Sequence, residues 1–159
     1  MIKPARTGML FLLIIFLTLV LVDWGEAEGQ PEEEDTSGLT IRVVGLESER
    51  GRVAIALFAS ELNYEREADP FREAFVEISN RRCEWEVGPI PAGEYAVLLY
   101  HDLNGNQKLD KNFFGIPREP YGISNNPKPR FGTPEYTRAR FEVAGPTVIE
   151  VKLQGGNAS

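Results

Sequence analysis

Short segments in which apolar and polar residues alternate, separated by turns rich in Gly and Pro, are the feature that most constrains the fold of this chain. A period of two places successive side chains on opposite faces of a β-strand. Seven such segments occur, at residues 39–46, 52–59, 71–79, 83–87, 94–101, 139–143 and 147–153. We therefore predict an all-β fold, a single antiparallel β-sandwich of about seven strands.

The composition of individual segments predicts their places in the sheets. Segments 52–59 and 94–101 are apolar on both faces, which indicates central strands. Segments 39–46 and 52–59 are joined by a short polar turn that ends at Gly51, which predicts a hairpin. Residues 88–93 contain Pro89 and Pro91, which lack an N–H, so we predict that they interrupt the strand. Residues 71–79 alternate but also tolerate helix, and residues 60–70 are predicted to form a loop with at most a short helical turn.

The first 27 residues have the layout of a secretory signal. Lys3 and Arg6 precede an apolar run at residues 9–22, and Gly25 and Ala27 are small residues suited to cleavage after Ala27. A helix that spans a bilayer needs about 20 apolar residues, and this run is shorter. We predict export to the periplasm or the cell exterior, with an uncleaved membrane anchor formed by residues 9–22 as the alternative.

Charge and cysteine content narrow the class of protein further. The chain carries a net charge of −7, and residues 28–38 are acidic and polar, which predicts a disordered linker. The β-domain is predicted at residues 39–153 and a flexible tail at 154–159. No basic run is interleaved with aromatic residues, so nucleic acid is not an expected partner. Cys83 is the only cysteine, so the chain cannot form an internal disulfide, and the alternation around it indicates a core position.

A polar loop, DLNGNQKLD, follows the strand at 94–101 and has the spacing of a calcium site. Calcium prefers about six to eight oxygen ligands. Gln107 replaces the glycine that such loops carry, and Phe113 replaces the bidentate glutamate, so we expect weak binding at best, with Glu119 as an outside ligand. The alternative is a metal-free turn in which Asp and Asn side chains bond to the backbone. The candidate ligands are Asp102, Asn104, Asn106, Asp110 and the carbonyl of Lys108.

The segment from residue 102 to residue 137 contains five prolines and several aromatic residues. Loops of this length are uncommon in compact domains unless they are functional or disordered. We expect an ordered loop at residues 102–130 that presents a binding surface, with most of its aromatic side chains packed onto the end of the sandwich. The residues assigned to binding are Phe113, Phe114, Arg118, Glu119, Tyr121 and Asn125.

Catalysis is the alternative function. His101, the only histidine, adjoins Asp102, and Ser124 and Cys83 are the candidate nucleophiles. Adjacent strand residues point to opposite faces, so the side chains of His101 and Asp102 are not expected to bond to each other. We therefore do not expect an enzyme, and no cofactor other than calcium is indicated.

The motif HDxNxNxKLDxNFFGxPxExYGxSNN, which begins at His101, resembles that of small exported bacterial proteins classed as a domain of unknown function. The preceding turn, Pro91 to Tyr95, fits the same family. The turn and strand are also similar, more distantly, to prealbumin-like and collagen-adhesin B-type modules, a likeness that implies fold and not activity. Together these features predict a binding or assembly module of the cell envelope, with an unidentified protein or glycan as partner.

Overall fold

The structure, a computed structural model, describes residues 36–128 and 132–156. All of them belong to one compact unit. The predicted leader, residues 28–35 of the predicted linker and residues 157–159 of the predicted tail lie outside the described residues. The elements in chain order are β1 (Thr36–Val44), β2 (Arg52–Phe58), α1 (Glu61–Arg66), β3 (Arg72–Glu77), β4 (Cys83–Pro91), β5 (Gly93–Asp102), β6 (Tyr121–Ile123), α2 (Tyr136–Ala139), β7 (Phe141–Val143) and β8 (Thr147–Lys152).

The strands form two sheets that enclose one apolar core. The first sheet has the order β4-β1-β8, and the second has the order β3-β2-β5-β6, with β7 also paired to β5. Core side chains come from both sheets, with Ile41 and Val151 from the first and Ile55 and Val97 from the second. The predicted mostly-β, sandwich-like architecture is confirmed. The sheets are not wholly antiparallel, because β1 and β8 run parallel.

The predicted hairpin between the first two strands is wrong. β1 pairs with β4 and β8, whereas β2 pairs with β3 and β5 in the other sheet. Residues 45–51 therefore cross from one sheet to the other. A short polar connection indicates a turn but does not determine whether the next strand joins the same sheet, because both strands have an apolar face to bury.

Pro89 and Pro91 lie inside β4, which corrects the expectation that the strand would stop at residue 87. β4 is an edge strand, so the missing N–H of a proline can face away from its one neighbour without loss of a ladder hydrogen bond. The register shifts between Leu39, which pairs with Gly88, and Thr40, which pairs with Glu86, so Val87 bulges out of the pairing. The neighbouring Gly88 has a φ of 84°, which glycine adopts easily.

The second sheet confirms the central positions predicted for β2 and β5, and residues 72–77 form β3 and not a helix. α1 lies in residues 60–70, where a loop with at most a short helical turn was predicted, whereas α2 and β6 were not predicted. Ser60 caps α1 by accepting a hydrogen bond from the N–H of Asn63, a pattern worth about 1 kcal/mol. α1 and α2 cover part of the outer face of the second sheet, where Tyr64 and Tyr136 pack on Phe58 and Ala96. In residues 36–128 and 132–156 no helix is long and apolar enough to cross a membrane.

Candidate functional site

The loop between β5 and β6, residues 103–120, is the candidate site. It leaves the second sheet at Asp102, which pairs with Arg52 of β2, and returns at Tyr121, which pairs with Tyr100 of β5. Gly51 lies against the point of departure: a Cβ at Gly51 would stand 2.0 Å from the carbonyl oxygen of Asp102. The loop therefore begins at the end of β5 and ends at the start of β6, which pairs with β5.

Asp102 organises the first half of the loop. Its carboxylate is fully buried and accepts hydrogen bonds from the backbone N–H groups of Gly105 (2.8 Å), Asn106 (3.1 Å) and Gln107 (3.0 Å). Three donors around one buried carboxylate offset the cost of removing its charge from water. Gln107 has a φ of 61°, so it adopts the left-handed backbone that calcium loops assign to glycine at this position.

The other predicted ligands also gather in this turn. The side-chain amides of Asn104 and Asn106 donate to the two carboxylate oxygens of Asp110, at 2.7 and 3.0 Å. The side-chain oxygen of Asn104 accepts from the N–H of Asn106, and that of Asn106 accepts from the N–H of Lys108. The structure thus brings the four predicted side chains together in hydrogen bonds of the kind that a metal-free turn uses.

The acidic side chains of this turn are few. Among the described residues, no group of three or more His, Cys, Asp or Glu side chains has an arrangement that could hold a metal ion. A calcium ion here would depend on the oxygens of Asn104 and Asn106 and on the Lys108 carbonyl, in addition to Asp102 and Asp110. Those amide oxygens would have to exchange their backbone hydrogen bonds for the ion.

Glu119 has a structural role that the sequence pattern did not predict. It is buried, and its two carboxylate oxygens accept from the N–H of Leu103 (2.9 Å) and the N–H of Asp110 (3.1 Å). It therefore joins the start, the middle and the end of the loop. This corrects its assignment as a polar contact for a partner, because a buried carboxylate that is bonded to two amides is not available at the surface.

The second half of the loop is a tight turn that projects into solvent. Lys111 and Pro117 form an isolated bridge at its base, and the N–H of Asn112 donates to the carbonyl of Ile116 at 2.8 Å. The side-chain oxygen of Asn112 accepts from the N–H groups of Phe114 and Ile116. The side chain of Asn112 therefore stabilises the turn. Asn is favoured at such positions because its side-chain oxygen can accept hydrogen bonds from nearby backbone N–H groups.

Phe113, Phe114 and Ile116, which we call the apolar tip, are exposed. Their relative exposures are 96 %, 82 % and 52 %, and the two phenyl rings contact each other edge to face with centroids 5.5 Å apart. This corrects the expectation that the aromatic residues of the loop pack onto the sandwich. In a short turn whose two flanking residues pair with each other, side chains at the apex have no room to fold back onto the sandwich.

The remaining predicted binding residues differ in accessibility. The side chain of Arg118 is exposed, while its N–H donates to the carbonyl of Asp110 at 2.7 Å. Tyr121 is half-buried in β6. The Asn125 amide donates to the carbonyls of Arg138 and Arg140, so it anchors the chain next to α2. Only Arg118 of these three extends the surface of the apolar tip.

The side chains considered for catalysis are buried. The ring Nε2 of His101 lies 2.6 Å from the carbonyl oxygen of Arg50, and His101 is buried. The Ser124 hydroxyl donates to the Ala139 carbonyl and accepts from the N–H of Val97. Burial raises the pKa of the Cys83 thiol to about 11, which leaves little nucleophilic thiolate near neutral pH. His101 and Asp102 bond to different partners, as strand geometry predicts.

A cavity of about 500 Å³ lies between the loop and the outer face of the second sheet. Ala54 and Ala56 form part of its floor, and Tyr100 and Tyr121 form part of its wall. Burial, followed by the nearby carboxylates, among which Asp102 and Glu119 contribute, raises the pKa of Tyr100 to about 12. In the sequence, the only signal of this cavity is the apolar character of the outer faces of β2 and β5.

Comparisons with known proteins address the family and not the activity. No curated protein matches the chain. No solved structure matches it either, so the likeness to prealbumin-like and collagen-adhesin B-type modules stays a prediction. One family model matches residues 41–150, which include every strand of the second sheet and the whole loop. On that match, the chain belongs to the family described as an uncharacterized protein conserved in bacteria (DUF2141).

Proposed function

We propose that this protein is an exported, non-enzymatic binding module of the bacterial cell envelope whose contact surface is the apolar tip. The observation that carries the proposal is the exposure of Phe113 and Phe114 on a loop that is otherwise held in place by buried carboxylates. Exposed aromatic side chains cost solubility, so a rigid turn that presents two of them is typical of a contact surface. Export rests on the leader-like layout of residues 1–27.

The rigidity of the loop supports binding because a preorganised surface loses little conformational entropy on contact. Asp102 and Glu119 together accept five backbone hydrogen bonds from residues 103–110. Asn112 accepts two more within the tip turn. The apolar tip is therefore held in one orientation relative to β5.

Site-specific photo-cross-linking in cells that export the protein tests this proposal. The photo-reactive amino acid p-benzoylphenylalanine replaces Phe114 in one variant and Phe71 in a control. Phe71 is also a phenylalanine and is 42 % exposed, but it precedes β3 and its ring packs on Tyr95. We expect adducts, with either protein or lipid, from position 114 and none from position 71. Equal labelling at both positions, or no adduct from position 114, would contradict the proposal.

Calcium binding by the first half of the loop is the second candidate function. It is favoured by the convergence of Asp102, Asn104, Asn106 and Asp110 on one turn and by the left-handed backbone of Gln107. With two carboxylates, we expect a dissociation constant of roughly 10⁻⁴ to 10⁻³ M. Calorimetric titration with calcium is the test, and Asp110→Asn is the informative variant because it keeps the shape of the side chain. Absence of heat up to several millimolar calcium would leave the metal-free turn.

Catalysis by His101 with loop carboxylates is the less supported alternative. Against it stand the burial of His101, its hydrogen bond to the Arg50 carbonyl, and the use of Asp102 and Glu119 as acceptors for backbone amides. A general base must reach the proton that it removes, and none of these three groups faces an open site.

A further inference from the structure

We infer that the apolar tip inserts into the interfacial region of an anionic lipid surface. The inference rests on the proposed function and names the partner of the same tip. Phe113, Phe114 and Ile116 form the apex of a narrow turn, and phenylalanine is among the apolar residues that peripheral membrane segments bury at the boundary between headgroups and acyl chains. The N–H groups of Phe114, Gly115 and Ile116 are hydrogen-bonded within the turn, which reduces the number of unpaired backbone groups that the apex would carry into the headgroup region.

The charges around the tip match an anionic surface. Residues 108–118 contain three cations, Lys108, Lys111 and Arg118, and one carboxylate, Asp110, a local net charge of 3 − 1 = +2 in a chain whose net charge is −7. Lys111 and Arg118 flank the base of the turn, where Lys111 bridges Pro117. Asp110 is occupied by two asparagine amides. No ion pair with a carboxylate is found for Lys111 or Arg118 in the described part of the chain.

Other occupants fit the tip less well. A stable protein interface buries about 800 Å² on each partner, more than three side chains on a narrow turn can supply. Sugars stack on a flat aromatic face, whereas the rings of Phe113 and Phe114 are inclined at 84° and offer no common plane. An apolar apex with a basic rim is the combination that hydrophobic insertion and electrostatic attraction to anionic lipid both favour.

The test places an environment-sensitive fluorophore on a cysteine at the tip of the full chain. Ile116→Cys keeps both phenylalanines, and Leu62→Cys is the matched control. Ile116 is 52 % exposed and Leu62 is 54 % exposed, and Leu62 lies on α1, which follows the opposite end of β2 from the one paired with Asp102. Cys83 is buried with its pKa raised to about 11, so the unsubstituted chain serves as the labelling control.

With vesicles of phosphatidylcholine and phosphatidylglycerol, we expect a blue shift and quenching by spin-labelled lipid at position 116 but not at position 62. Phosphatidylcholine alone should have a smaller effect. Phe113→Ser combined with Phe114→Ser should reduce the inserted population about tenfold or more. Lys111→Gln and Arg118→Gln should each reduce it about fivefold, the effect of removing one cation near an anionic surface.

Each contrary result has a defined meaning. A probe at position 116 that stays in water on anionic vesicles, together with a protein adduct at position 114 in cells, would overturn the lipid assignment and retain the proposed function. An aqueous probe and no adduct would overturn both. Equal insertion at positions 116 and 62 would also overturn the inference, because attachment would then not depend on the tip.

Discussion

Single residues decide where the loop can start. Gly51 and Gly105 both have a φ of 75°, but their surroundings differ. A Cβ at Gly51 would stand 2.0 Å from the Asp102 carbonyl oxygen and 3.0 Å from the Leu103 Cα, whereas a Cβ at Gly105 would meet nothing within 4 Å. Substitution of each glycine therefore distinguishes two costs. Both positions share the cost of a left-handed backbone, and only Gly51 adds a steric conflict at the entry to the loop.

We predict that Gly105→Ala lowers the free energy of unfolding by about 1 kcal/mol, the cost of a left-handed backbone for a residue with a Cβ. Gly51→Ala should lower it by about 3 kcal/mol or more, because the backbone at Asp102 must also move. Urea denaturation of both variants measures the difference. Equal losses would show that the contact of Gly51 with the loop entry has no energetic importance.

At the scale of the element, side chains that accept hydrogen bonds hold the loop between β5 and β6 in place. Neither half has regular secondary structure, yet Asp102, Glu119 and Asn112 satisfy its backbone amides. Glu119 accepts from two backbone amides that are 16 − 9 = 7 positions apart, so it pairs loop backbone groups as the hydrogen bonds of a ladder pair those of a strand. The order of the apolar tip depends on these three side chains.

Glu119→Gln should loosen this element. Glutamine has one side-chain oxygen where glutamate has two. Either the N–H of Leu103 or the N–H of Asp110 would therefore face the side-chain NH₂ group, which is also a donor. A buried unsatisfied group costs about 1–3 kcal/mol, and we expect hydrogen exchange at both amides to accelerate about tenfold or more. Glu86→Gln, an exposed carboxylate on β4, is the control and should change neither rate. Unchanged exchange in Glu119→Gln would contradict the role given to Glu119.

At the scale of the whole molecule, the buried hydroxyl of Tyr64 and the buried thiol of Cys83 make the stability of the fold sensitive to alkali. Burial raises the pKa of Tyr64 to about 12 and that of Cys83 to about 11, from ordinary values of 10 and 9. The folded state therefore keeps both protons to a higher pH than the unfolded state does. Their contribution to stability is complete below about pH 9 and is lost as the pH rises through 9 to 12.

We predict that the free energy of unfolding falls steadily between pH 9 and pH 12, as measured by urea denaturation at fixed ionic strength. Tyr64→Phe is the matched variant, because the Tyr64 hydroxyl is buried and has no hydrogen-bond partner in the described residues. It should raise stability at pH 7 by roughly 1 kcal/mol and reduce the alkaline loss. A pH profile identical to that of the unsubstituted chain would rule out Tyr64 as a contributor.

Much of the fold follows from local patterns. Each of the seven segments predicted from alternation matches an observed strand to within a few residues at its ends. Apolar residues on both faces correctly indicated that β2 and β5 are central. The Asp and Asn spacing after residue 101 located the turn that gathers Asp102, Asn104, Asn106 and Asp110. These features are local because each depends on the backbone period or on hydrogen bonds across a few residues.

Only the tertiary structure decided which strands pair and which loop residues are exposed. The crossing of residues 45–51 between sheets, the parallel partnership of β1 and β8, and the edge position that lets β4 contain prolines all depend on contacts between distant segments. The same holds for Glu119, whose partners begin sixteen residues earlier, and for Phe113 and Phe114. Apolar composition alone predicts burial, whereas the geometry of the turn at Asn112 keeps these two rings in water.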